Sequence, residues 1–135
     1  MKISLDGAEP DGMDLLGRPP AAWQRERRAV VGDVEVVLDR FVLRCGDRTV
    51  RITPMECMLL STLLAHPDEA LSRSALAEEA WGRSHRERGG EVEVYVARLR
   101  KKVTHIGGRP IIETVRGEGY RLAELPAFGA ARADG

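Results

Sequence analysis

The sequence predicts a single α+β domain with an N-terminal antiparallel sheet, three helices and a C-terminal β-hairpin. Between about Gly32 and Thr53 the pattern is period-two and β-rich. From Thr53 to His105, three stretches carry helix-start chemistry or apolar residues at 3.6-residue spacing. Finally "ETVRGEGYRL", residues 113–122, sets two glycines into a β-favouring run. Length agrees, because 135 residues can bury one sizeable core but cannot supply two ordinary domains and a linker. With 43% apolar, 31% charged and 4% aromatic residues, the composition is globular and the core is expected to be mainly Leu, Val, Ile and Ala.

Residues 1–30, with "GAEPDG" and "GRPP", lack periodicity and read as a flexible tail containing one short helix, "AAWQRERRAV", whose Trp23 could dock on the domain or a partner. The domain is expected over 31–125, with a second flexible tail at 126–135. Its sheet comes from "DVEVVL", "RFVLRC" and "RTVRIT", the last two joined by the hairpin turn "CGDR". Thr53, Pro54 and Glu56 form a T-x-x-E helix start: the hydroxyl caps, proline takes the first helical position and glutamate reaches back. This helix runs to about His66, with Met55, Met58, Leu59, Leu63 and Leu64 inward, and stops at "HPDEA". A second helix starts at Ser72 and continues through Leu76 and Ala80 to Trp81, before the polar loop "GRSHRERGG".

The third helix, about Glu91 to His105, carries the most information. Val92, Val96, Leu99, Val103 and Ile106 form one narrow apolar stripe. The opposite side centres on Gly90, Val94, Ala97 and Lys101, with Glu91, Arg98 and His105 on one flank and Glu93 and Arg100 on the other. "GGRP" breaks the helix. In the hairpin that follows, Gly117 and Gly119 can take φ > 0 at little cost, leaving Arg116 on a narrow projecting finger.

Net charge is zero, but its distribution is not even. From Tyr95 to Arg121 the seven basic residues Arg98, Arg100, Lys101, Lys102, Arg109, Arg116 and Arg121 face only Glu113 and Glu118. From Thr53 to Ala80 the acids Glu56, Asp68, Glu69, Glu78 and Glu79 face only Arg73. The C-terminal third is therefore the cationic side, suited to an anionic partner. Paired-carboxylate, phosphate-loop and nucleophile–base patterns are absent, so an enzyme is not expected. His66 and His85 are too isolated for a metal site, and no cofactor is expected. Cys45 and Cys57 lack CxxC spacing and read as buried free thiols. With no bilayer-length apolar run and no signal-peptide core, the expected compartment is the cytoplasm.

A sheet, three helices with a basic outer face on the last, and an arginine-tipped hairpin make the order of a winged helix-turn-helix. The ordered set "TPMECMLL", "ALSRSALAEEAWG", "VEVYVARLRKKV" and "GGRPIIETVRGEGYRL" resembles the DNA-binding domain of OmpR/PhoB-type response regulators over about residues 32–123. The resemblance implies a sequence-specific regulator on double-stranded promoter DNA, with the third helix in the major groove and the hairpin, or wing, in the neighbouring minor groove. It places Tyr95, Ala97, Arg98 and Arg100 at positions through which relatives touch bases or phosphates, and Thr114 and Arg116 at wing contact positions; Glu91, Val94, Lys101 and Lys102 join them as candidate DNA contacts on the same helix. Trp81 matches the family tryptophan that closes the second helix, where it either anchors core and loop or touches the DNA backbone. Relatives can use the loop before the third helix to contact RNA polymerase; here it carries Arg83, His85, Arg86 and Arg88, for which a plainly solvated loop is the other reading. Homodimerisation on direct repeats is a further family expectation.

The chain departs from the family pattern. Relatives usually carry arginine or another polar residue at Gly90, a hydroxyl at Glu91 and often arginine at Ala97. Glu91 can accept from cytosine, and Val94 or Ala97 can pack on a thymine methyl, but fewer bidentate arginines imply modest single-site affinity. The competing function is a winged helix used for protein docking through Glu91, Val94 and Ala97. Thirty tail residues cannot make the receiver domain that precedes this module in full-length members, so control by aspartyl phosphate is not expected in this chain; a complete chain would be controlled by abundance, the tail, a ligand or a partner, and for a fragment the receiver is simply missing from the sequence given.

Overall fold

Valine-rich four-residue runs separated by glycine-bearing turns build the first layer. The computed structural model describes residues 28–82 and 90–128. Strands β1 (Arg28–Val31), β2 (Val34–Val37), β3 (Val42–Cys45), β4 (Arg48–Arg51) and β7 (Ala127–Phe128) form one antiparallel sheet in the order β4-β3-β2-β1-β7. Val31 faces Val34 and Cys45 faces Arg48, so two-residue turns at Gly32-Asp33 and Gly46-Asp47 close the hairpins, each glycine at positive φ. The expected "CGDR" turn is therefore present.

Both domain boundaries lie further out than the sequence pattern indicates. Arg28–Val31 is a strand rather than tail or helix, and its Ala29 and Val31 are buried. Ala127 and Phe128, inside the stretch expected as a C-terminal tail, pair with Val30 and Ala29. Arg28–Val31 continues a charged stretch that reads as helix and Ala127–Phe128 is too short to show a period, while pairing supplies the hydrogen bonds that local sequence does not. The remainder of both expected tails, with Trp23, and the loop carrying Arg83, His85, Arg86 and Arg88 lie outside the described residues.

Helix α1 (Pro54–Ala65) starts with the predicted reciprocal cap: the Glu56 amide donates to Thr53 Oγ1 at 3.2 Å and the Thr53 amide donates to Glu56 Oε1 at 2.8 Å. It buries more than the expected face, because Cys57, Leu60, Ser61 and Thr62 are enclosed as well as Met58, Leu59, Leu63 and Leu64, while Met55 is only partly covered. A helix apolar on nearly all sides serves as the central beam of the core. Burial pushes the Cys57 thiol up to about 12, whereas Cys45 is half-buried.

Ser72 caps helix α2 (Arg73–Trp81) by accepting from the Ala75 amide at 3.1 Å. Helix α3 (Gly90–His105) ends in a Schellman motif: the Gly107 amide donates to Thr104 O and the Gly108 amide to Val103 O, both at 3.0 Å, with Gly107 at φ +84°. A Cβ at Gly108 would lie 2.4 Å from Val34 Cγ2, so the chain leaves α3 pressed directly against β2.

Strands β5 (Ile112–Val115) and β6 (Gly119–Leu122) form the closing hairpin. Leu71, just before α2, adds a bridge to it: the Leu71 amide donates to Tyr120 O at 2.8 Å and the Tyr120 amide returns to Leu71 O at 2.9 Å. Gly119 makes this approach feasible, with φ +141° and a hypothetical Cβ only 1.9 Å from Leu71 O.

Gly119→Ala is expected to cost at least about 2 kcal/mol in urea unfolding, since backbone strain and a backbone clash coincide there; an unchanged midpoint would refute this close packing. Iodoacetamide at pH 8 is expected to alkylate Cys45 in the folded protein and to reach Cys57 only after unfolding, as read by peptide mass spectrometry.

Candidate nucleic-acid interface

The inward stripe of α3 is as predicted, with Val92, Val96, Leu99, Val103 and Ile106 all buried. Burial of each is worth about 1.5 to 3 kcal/mol, enough to dictate which way the helix faces. Its outer surface then presents Glu93, Val94, Ala97, Arg98, Lys101, Thr104 and His105 to solvent, with Val94 48% exposed. Val94 is a single exposed aliphatic side chain at the centre of a charged helix face, not an apolar patch.

A stack of side chains leads from the core to this surface. Trp81 is 1% exposed and its indole N–H donates to Met55 O at 3.1 Å. The Tyr95 ring meets it edge-on at 5.2 Å and 63°, and the Arg98 guanidinium lies 5.1 Å from the centre of the Tyr95 ring. Trp81 is therefore the core anchor and is too enclosed to reach a DNA backbone. Through Tyr95 it orients Arg98, which makes no ion pair among the described residues.

Two other sequence-selected cations are diverted. Lys102 Nζ, on a side chain 26% exposed, donates to Glu56 Oε1 at 2.7 Å, while the Glu56 side chain is 1% exposed. That carboxylate closes the α1 cap and receives the α3 lysine at once, so Lys102 is a structural counter-ion rather than a groove residue. Arg100 Nη2 donates to Ile112 O at 3.0 Å and to Thr114 Oγ1 at 3.1 Å, and its guanidinium lies 5.8 Å from the centre of the Tyr120 ring. Arg100 and Thr114, selected separately as contacts, are thus brought together and hold one another.

Other charges also pair off. Arg73 on α2 binds Glu93 on α3, Arg121 binds its cross-strand partner Glu113, and Arg109 binds Glu124. The hydrogen bond and charge of Glu113 raise the pKa of Arg121, and those of Glu124 raise that of Arg109, so both stay charged and paired. Of the seven basic residues counted in the C-terminal third, Arg98, Lys101 and Arg116 remain exposed without an ion pair among the described residues. Glu91 and Glu93 lie in the first turn of α3, where a carboxylate complements the helix dipole. Their presence thus has a local structural cause besides any reading of bases.

Arg116 is exposed at the hairpin tip. The Glu118 amide donates to Val115 O at 2.9 Å, and Gly117 takes φ +78° at the turn's third position. The free cations Arg98 and Lys101 thus belong to the outer face of α3, and Arg116 to the thin tip of the adjoining hairpin.

This arrangement has known counterparts. The family described as "Transcriptional regulatory protein, C terminal" matches residues 47–122. The chain belongs to that family, the OmpR/PhoB-type effector domains. The response regulator MprA of Mycolicibacterium vanbaalenii is 44% identical over 81 residues, which are 60% of this chain and 35% of that protein. The chain thus spans about a third of the length of such curated relatives. Among solved structures, the C-terminal domain of the nisin resistance regulator NsrR is 35% identical with a TM-score of 0.56, covering 67% of this chain and 92% of that domain. The DNA-binding domain of the response regulator AdeR, solved in complex with an intercistronic region, is 26% identical with a TM-score of 0.56, covering 68% of this chain and 95% of that one. The effector domain described here therefore has the winged helix-turn-helix architecture of this family, with α3 as third helix and β5–β6 as wing.

Lys102→Ala is expected to lower stability by about 2 to 3 kcal/mol in urea unfolding, because it strands a buried carboxylate. A loss under about 0.5 kcal/mol, the range of ordinary surface substitutions, would return Lys102 to the candidate DNA contacts.

Proposed function

We propose that this effector domain is a sequence-specific regulator that binds double-stranded promoter DNA with α3 in the major groove and the β5–β6 wing in the adjacent minor groove. The observation that carries the reading is the placement of the free cations of the C-terminal third: Arg98 and Lys101 on the outer face of α3, and Arg116 alone on a thin exposed hairpin tip. A helix fits the major groove, where Arg98 can read guanine, Glu91 can accept from cytosine, and Val94 and Ala97 can pack on thymine methyls. The minor groove admits an extended arginine and, where narrow, attracts it. The AdeR domain in complex with an intercistronic region supports the same partner class for this chain.

Three free cations on the α3–wing side are few. A single domain on one half-site is accordingly proposed to bind with modest affinity, with pairing on direct repeats or contact with RNA polymerase adding the rest. The reading also includes binding by the chain as it stands, without aspartyl phosphate on a receiver. Val94, exposed beside Ala97, favours a second reading in which the same face docks a protein.

Selection from random duplexes, followed by titration over a salt series, tests the assignment. The expected result is enrichment of one motif, a steep negative salt slope, and no change on adding acetyl phosphate. Arg98→Ala is expected to cost about 1 to 3 kcal/mol and relax preference at one base pair. Arg116→Ala is expected to weaken binding and erase preference for A·T under the wing. Weak binding without enrichment, indifferent to both substitutions, would establish the docking reading instead.

A further inference from the structure

We propose that Arg100 is a positioning residue: it fixes the wing relative to α3, and so sets where Arg116 falls in the minor groove, rather than contacting DNA itself. This inference rests on the DNA-binding reading for its consequence, but its structural half stands on the hairpin's own geometry.

A two-stranded hairpin is marginal alone, and its direction depends on what holds its two free edges. The base of β5–β6 is fixed by burial of Ile111, Ile112, Tyr120 and Leu122, whereas Thr114 and everything from Arg116 to Glu118 are exposed. Thr114 and Tyr120 face each other in the register, making this the outermost cross-strand pair before Val115 and Gly119 close the tip. Both sides of that pair are clamped. On β6, Leu71 exchanges two backbone hydrogen bonds with Tyr120. On β5, the guanidinium of Arg100 binds Ile112 O and Thr114 Oγ1, and lies near the ring of Tyr120. A cleft of about 470 Å³, lined by Ser72, Arg73, Glu93, Thr114 and Glu118 among others, lies between the outer wing and the starts of α2 and α3, beyond the point where Gly119 meets Leu71. The outer wing therefore leans on few anchors, and Arg100 is the side chain that ties it to the helix expected to read bases.

The reach and shape of the contact favour arginine. Both hydrogen bonds come from the single nitrogen Nη2, at the far end of a planar group that also lies by the Tyr120 ring; a lysine ammonium keeps the charge and the donors but is shorter and lacks the flat face. A phosphate contact depends mainly on the charge, whereas wing positioning depends on the reach and flat face of the guanidinium. Arg100→Lys separates the two roles.

The experiment compares the full chain with Arg100→Lys, Thr114→Val, Arg116→Ala and the Arg100→Lys/Arg116→Ala double variant. Without DNA, hydrogen exchange of amides 114–119 is expected to quicken about tenfold in Arg100→Lys and several-fold in Thr114→Val, while Leu99 and Val103 keep their protection. On the selected duplex, Arg100→Lys is expected to weaken binding about tenfold with an unchanged salt slope, to lose A·T preference under the wing, and to add little once Arg116 is gone. A salt slope shallower by about 0.9, with additive effects of Arg100→Lys and Arg116→Ala, would make Arg100 a phosphate contact and overturn the proposal. Unchanged exchange in both single variants would overturn it irrespective of any DNA result. Absence of salt-dependent duplex binding by the parent would instead remove the DNA reading, leaving the exchange data to decide the helix–wing link.

Discussion

The constraint on which the rest of the molecule depends is the narrow apolar stripe of α3. Five residues at helical spacing are buried together, and with that face committed every other side chain of the helix has its direction assigned. Val94 and Arg98 are outside because Val92, Val96 and Leu99 are inside. The stack from Trp81 through Tyr95 to Arg98 then carries the rigidity of the core to the surface, so the exposed guanidinium belongs to an ordered element rather than to a loop.

Glu56 adds a second constraint of a different kind. One carboxylate oxygen receives both the Thr53 amide and the Lys102 ammonium, so the start of α1 and the last turn of α3 meet at a single buried atom. Such a pair adds modest net stability, but it penalises any arrangement in which the two elements are displaced, since either partner alone would be a charge without compensation. The orientation of α3, and of the surface it presents, is thereby set by polar chemistry as well as by packing.

The wing shows how charge can be present without being available. Arg121 and Glu113 neutralise each other across the hairpin, Arg100 is spent on holding β5, and only Arg116 projects freely. On the α3–wing side the free cations are consequently fewer than the seven basic residues of that segment suggest. For a nucleic-acid partner this shifts the expected balance from bulk attraction toward a few well-placed contacts.

Much of this was determined by the sequence alone. The Thr53–Glu56 cap, the α3 stripe, the glycine-bearing hairpin and the exposure of Arg116 follow from residues a few positions apart, and local spacing is what sequence patterns report. The first strand was missed because Arg28–Val31 continues the charged stretch QRERR that reads as helix, and the last because two residues show no period; the hydrogen bonds of both come from partner strands. Only the tertiary structure decided which cations are free, because Lys102 meets Glu56 from 46 positions away and Arg100 meets Thr114 across a chain reversal. Ion pairing and side-chain hydrogen bonding act over a few ångströms of space, and distance along the chain does not record which groups come that close.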